Sequence, residues 1–249
     1  MDELLRFDIN LLAIFLLLMM YVIQKIKGEI YSYSSRLLRV IIILTVLALI
    51  IEPITWIFDM KTFSGARLIN YSSNFLLVLI APILVGMWAS YLDFQLFGDR
   101  KRLSKRHFYQ YPSYLIFVLL IINFFYPLFF SVSADNIYHE SNLFWIRLII
   151  IYAVIVYLVV MIIIHRRNIR TNALYGVAAF FALPTIGSIL QLLEQEVFFT
   201  WTMLALSVVV VYIFLETTSG NRDYLTNLFS RRALEDYLEH LSDRKVRFT

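Results

Sequence analysis

The sequence predicts an all-α integral membrane protein: a bundle of seven transmembrane helices, N-terminus outside and C-terminus in the cytoplasm, followed by a short cytoplasmic amphipathic helix. Three observations predict it. The 249 residues are 60% hydrophobic and only 16% charged, where a soluble domain carries about 25% charged residues. Seven apolar stretches approach the ~20 residues that cross ~30 Å of hydrocarbon as a helix. Lys and Arg are sorted between alternate connections, as they are when positive loops set orientation.

Composition also narrows the chemistry. Phe (21) and Tyr (16) are abundant while Gly (7) and Pro (5) are few, so the chain is neither low-complexity nor disordered. There is no cysteine, which excludes disulfides, thiol nucleophiles and thiolate metal sites. His107, His139, His165 and His240 lack the close pairing of a metal-binding helix or loop, so no metal site is expected. The net charge of +4 is explained by membrane topology without invoking nucleic acid.

The expected spans are residues 9–26, 38–58, 69–92, 114–132, 143–164, 173–193 and 197–215. The first begins in "MDELLRFD", with acids instead of a basic leader. It ends in Lys25 and Lys27 without a small-residue cleavage site, and so reads as a retained span and not a signal peptide. Connections after spans one, three and five carry twelve Lys and Arg, against three in the N-terminal segment and the remaining outer connections. That bias places the first set in the cytoplasm. Trp56, Trp145 and Trp201 then fall near outer helix ends, with Trp88 and Tyr91 near an inner one, where interfacial aromatics belong. The run "GDRKRLSKRH" is read as a topology determinant of the same kind, ahead of an anionic-lipid or nucleic-acid patch. Only Glu194, Gln195 and Glu196 join spans six and seven, which predicts a tight antiparallel hairpin.

Polar residues inside apolar spans cost free energy and are candidate functional groups by default. Glu52, Asn74, Asn123, Arg147 and Gln191 all fall in the outer half of the predicted bundle, while the inner halves are almost purely aliphatic. They suggest an outward-facing pocket in which Glu52 and Arg147 are counter-charges for each other or for a small polar ligand. The competing reading is a structural ion pair, with Asn and Gln as interhelical hydrogen-bond glue and Arg147 reaching to the headgroups. Of the five prolines, Pro112 sits at the start of span four, where its missing N–H costs little. Pro53, Pro82, Pro127 and Pro184 are expected to kink their helices.

After span seven the chain changes character at "ETTSGN", which divides it into a membrane domain, 1–216, and a tail, 217–249. Ser230 is a good N-cap, and Leu234, Tyr237, Leu238 and Leu241 form an apolar stripe at helical spacing. A helix of about a dozen residues is not stable alone in water and needs a partner surface.

The segment "DYLTNLFSRRALEDYL" resembles the opening of the GGDEF domain of diguanylate cyclases, whose signature is Asp-x-Leu-Thr-Gly-Leu-x-Asn-Arg-Arg followed by a helix. Six of the eight specified positions match: Asp223, Leu225, Thr226, Leu228, Arg231 and Arg232. Asn227 replaces Gly and Ser230 replaces Asn, both tolerable because Asn accepts left-handed backbone and Ser caps helices. Spans six and seven also look like the last two helices of the seven-helix sensory regions that precede such domains in many bacteria.

The resemblance implies a membrane sensory input module of a bacterial diguanylate cyclase, in the inner membrane, surrounded by lipid and dimerising through its cyclase domains. It also implies GTP and Mg2+ as ligands of the full-length family. The 27 residues from Asp223 hold neither a two-carboxylate magnesium site nor a glycine-rich phosphate loop, so this chain by itself is expected not to make cyclic di-GMP. Two other readings are a small transporter or permease and a passive membrane anchor. Against transport stand the odd number of spans, the lack of internal repeats and the absence of a charged path through the inner halves.

Overall fold

A computed structural model describes residues 8–26, 33–97, 103, 107–165, 182–187, 190 and 200–219. The chain forms helices α1 (Asp8–Ile26), α2 (Tyr33–Phe58) and α3 (Ala66–Phe97). A 3-10 turn (His107–Gln110) then runs directly into α4 (Tyr111–Asn123). A hairpin of β1 (Phe130–Val132) and β2 (Tyr138–Glu140) follows, then α5 (Phe144–His165) and α6 (Thr200–Ser219). Four of these helices, α1, α2, α3 and α5, are long and apolar enough to cross a membrane. The apolar runs Tyr111–Asn123 and Thr200–Ile213 are shorter. Of the predicted sixth span, residues 182–187 and 190 are described, and they are helical.

Helix α3 is the hub of the fold. No residue from 77 to 94 is exposed, as expected for a helix that is apolar all round and surrounded by neighbours. Its Ile80, Leu84, Trp88 and Tyr91 pack with α1, α2 and α6, its Val78 with α4 and the hairpin, and its Ala89 and Leu92 with Tyr109 and α5. Helix α1, by contrast, buries one seam only. Asn10, Ala13, Leu17, Met20 and Gln24 alternate steps of three and four, the spacing of a coiled-coil contact, while Leu11, Leu12 and Phe15 are about 60% exposed on the other side. The exposed apolar face suits lipid.

The fourth span departs from expectation. The sequence predicts one helix over 114–132, but α4 ends at Asn123 and the rest turns back as a hairpin. Pro127 is the physical reason: it cannot donate to the 123 carbonyl, and it drives residue 126 out of helical backbone. It therefore ends its helix instead of kinking it. Pro53 and Pro82 lie inside α2 and α3, and Pro112 opens α4 as expected. In the hairpin Phe130, Ser131 and Val132 pair antiparallel with Glu140, His139 and Tyr138. Its connection closes with Asn136 N–H donating to the Ser133 carbonyl and Asn136 itself left-handed at φ 59°, the pattern of a type I turn followed by a left-handed residue.

Candidate functional site

Four of the five polar span residues singled out by sequence are described, and no hydrogen bond joins any of them to another among the described residues. Glu52 and Asn74 belong to two separate networks, Asn123 holds the hairpin backbone, and Arg147 lies over an aromatic ring. Gln191 lies outside the described residues, as do the basic stretches 98–102, 104–106 and 166–170 and the motif residues Asp223, Leu225, Thr226, Leu228, Arg231 and Arg232.

The first network is small and links three helices. Glu52 of α2 is 3% exposed and accepts a hydrogen bond at Oε2 from Asn10 Nδ2 of α1, at 3.1 Å. Asn10 Oδ1 in turn accepts from Thr202 Oγ1 of α6, at 2.8 Å. One turn further along α2, Thr55 Oγ1 donates to the Glu52 carbonyl at 2.7 Å. That bond supports the stretch around Pro53, whose ring removes a helical donor. Asn10 and Thr202 are as buried as Glu52, so each donor would be costly to leave unpaired. Neither stands out in the sequence: both are neutral residues close to the start of a helix, where headgroups and water usually satisfy them. Only folding shows that residues 192 positions apart meet.

The second network is dense and ties the hairpin to the α2–α3 connection. Asn136 Nδ2 donates to the carbonyls of Phe58, at 2.6 Å, and Lys61, at 2.9 Å. Its own backbone carbonyl accepts from Met60 N–H at 2.9 Å. Asn70 Nδ2 donates to Asn136 Oδ1 and Asp59 Oδ1, at 3.0 and 2.9 Å, and Asp59 Oδ1 also accepts from Tyr138 N–H at 3.0 Å. Asn74 joins this group by donating to Asn70 Oδ1 at 2.8 Å. Met60 is held at φ 57°, a conformation uncommon without such support. The adjoining Gly65, at φ 95°, needs no side chain where the chain turns into α3.

Asn123 completes the hairpin's attachment. Its Oδ1 accepts from the N–H of Phe129 at 2.7 Å and of Phe130 at 3.3 Å, and its Nδ2 donates to the Phe130 carbonyl at 3.0 Å. One side chain thus replaces the backbone partners that the interrupted helix no longer supplies. Arg67 Nη2 adds a bond to the Val132 carbonyl at 3.0 Å.

Arg147 stands apart from Glu52. Its guanidinium carbon lies 4.4 Å from the centre of the Phe144 ring, its Nε is buried without a hydrogen-bond partner among the described residues, and the groups acting on it electrostatically are Tyr138 and Glu140. The expected counter-charge pairing is replaced by Asn10 on Glu52 and by Phe144 beneath Arg147. Burial pushes the Tyr138 phenol up to about 12, against the opposing effect of the Arg147 charge and with smaller additions from Glu140 and Asp59. It is therefore neutral at physiological pH, where it stacks on Phe130 at 5.8 Å.

A third buried polar contact lies at the other end of α3, where Tyr109 Oη donates to Asp93 Oδ2 at 2.6 Å. The predicted span stops at Leu92, one residue short of this carboxylate, but the helix continues to Phe97 and buries it. Nearby, Gly86 accommodates the 3-10 turn: a Cβ there would stand 2.5 Å from the Tyr109 carbonyl oxygen. For the Mg2+ and GTP of the family resemblance, the described residues hold no group of three His, Asp or Glu that would bind a metal. No protein-family model, no curated protein and no solved structure matches the chain.

Proposed function

We propose that this chain is the membrane sensory input module of a bacterial diguanylate cyclase, a seven-span bundle of the inner membrane with its N-terminus outside and its tail in the cytoplasm. One observation carries the reading. The last helix before the GGDEF-like tail is joined to α1 and α2 by the buried chain Thr202–Asn10–Glu52. A helix transmits displacement along its axis at ~1.5 Å per residue, so a shift at Thr202 reaches Ser219 about 25 Å away. A polar ligand or local rearrangement that takes the Asn10 amide from Glu52 would also change what holds Thr202. Helix α6 would then settle differently, and the paired cyclase domains beyond it would meet in another geometry.

The test is a fusion that places an active GGDEF domain after Thr249, with cyclic di-GMP formation measured per molecule in membranes. Glu52→Ala should change the output several-fold at unchanged membrane abundance. An unchanged output would instead support a passive anchor, and uptake of small polar solutes into proteoliposomes would support transport.

A further inference from the structure

The turn after α4 exposes three consecutive aromatic side chains, Phe124, Phe125 and Tyr126, each above 70% exposed. They do not lie in a remote loop. Phe124 packs edge-on to Tyr71 of α3 with ring centres 6.0 Å apart, and Asn123 Nδ2 donates to Tyr71 Oη at 3.3 Å. The turn is therefore level with Tyr71.

Helix α3 gives that level a depth. Its outermost charged residues are Arg67 and Asp93, about 39 Å apart along the axis at ~1.5 Å per residue. A hydrocarbon slab of ~30 Å centred between them runs from about Asn70 to about Ser90. Tyr71 then lies at the boundary between acyl chains and headgroups. The exposed Trp56 and Trp145 belong to the same end of the bundle, in the last turn of α2 and the first turn of α5. The aromatic turn also continues the apolar face of α4, where Val118, Ile121 and Ile122 are exposed.

We propose that the Phe124–Tyr126 turn is a membrane-interface anchor, docking the hairpin end of the bundle onto the headgroup boundary of the surrounding lipid. Tyr126 has the large ring and polar tip that favour that zone, while Phe124 and Phe125 add apolar surface for the acyl side of the boundary. The anchor holds the hairpin against the bilayer surface while its turn, with exposed Asp135, faces water. Lipid contact at this turn is independent of the signalling role and of the leaflet involved.

Because the chain has no cysteine, single introduced cysteines carry unambiguous spin labels. The full chain is reconstituted in phosphatidylcholine–phosphatidylglycerol vesicles with Asp135→Cys, Phe125→Cys or Val118→Cys, and collision with oxygen and with a water-soluble nickel chelate is measured by power saturation. Position 125 should read between the other two, near the headgroup depth and reached by both relaxants. A label at 125 as accessible to nickel as the one at 135 would overturn the proposal, since the turn would then be an aqueous loop. Shielding from both relaxants would overturn it too, because a second copy or another protein would then cover the turn. Tyr126→Cys gives the same reading if Phe125→Cys does not accumulate.

Discussion

The polar residues of this bundle do two different jobs in two neighbouring places. Around Asn136, a single side chain and its backbone meet four elements of the chain, and nearly every donor and acceptor is used. Around Glu52, two hydrogen bonds among the described residues run in line from α2 through α1 to α6. A dense network has one arrangement, because moving any member strands several buried groups at once. A linear one has alternatives, since an amide between a carboxyl and a hydroxyl can turn or change partner at the cost of about one bond. The first suits a clasp, the second a relay.

The contrast can be broken from the clasp side first. Asn136→Ala removes the side-chain donor to the Phe58 and Lys61 carbonyls and one acceptor of the Asn70 amide, and puts Ala, which tolerates left-handed backbone less well than Asn, at φ 59°. It should cost about 3 kcal/mol or more, seen as a lowered unfolding midpoint in detergent. A midpoint equal to the parent's would mean that the clasp is not rigid. Asn123→Leu removes three bonds to the hairpin backbone and should cost about 2 kcal/mol. The amide hydrogens of Phe129 and Phe130 should then exchange faster while those of α2 do not. The smallest effect belongs to Arg147, whose only interaction among the described residues besides electrostatics is the Phe144 ring. Arg147→Leu should change stability by less than about 1 kcal/mol, and a much larger loss would mean that its charge has a partner.

What the sequence makes legible follows from the same physics. Apolar length alone places α1, α2, α3 and α5 within a few residues, because hydrocarbon demands unbroken backbone hydrogen bonding. Segment 114–132 misleads because "FFYPLFFSV" is as apolar as a helix while forming an exposed turn and a buried strand, and Pro127 is the only local sign of the break. Glu52 is visible as a carboxylate inside an apolar run, and its burial follows. Its partners are not visible, since neither Asn10 nor Thr202 is unusual until three distant helices converge. Asn136 is hidden for the opposite reason: it sits in a polar connection, where nothing in composition distinguishes a clasp from a loop.

The most direct test of the relay is a double-mutant cycle on Asn10→Leu and Thr202→Val in the GGDEF fusion, reading cyclic di-GMP formed per molecule. Each single substitution should shift the output several-fold, and the pair should shift it no further than the stronger single one, because both cut the same chain. Additive effects, or none, would contradict the account.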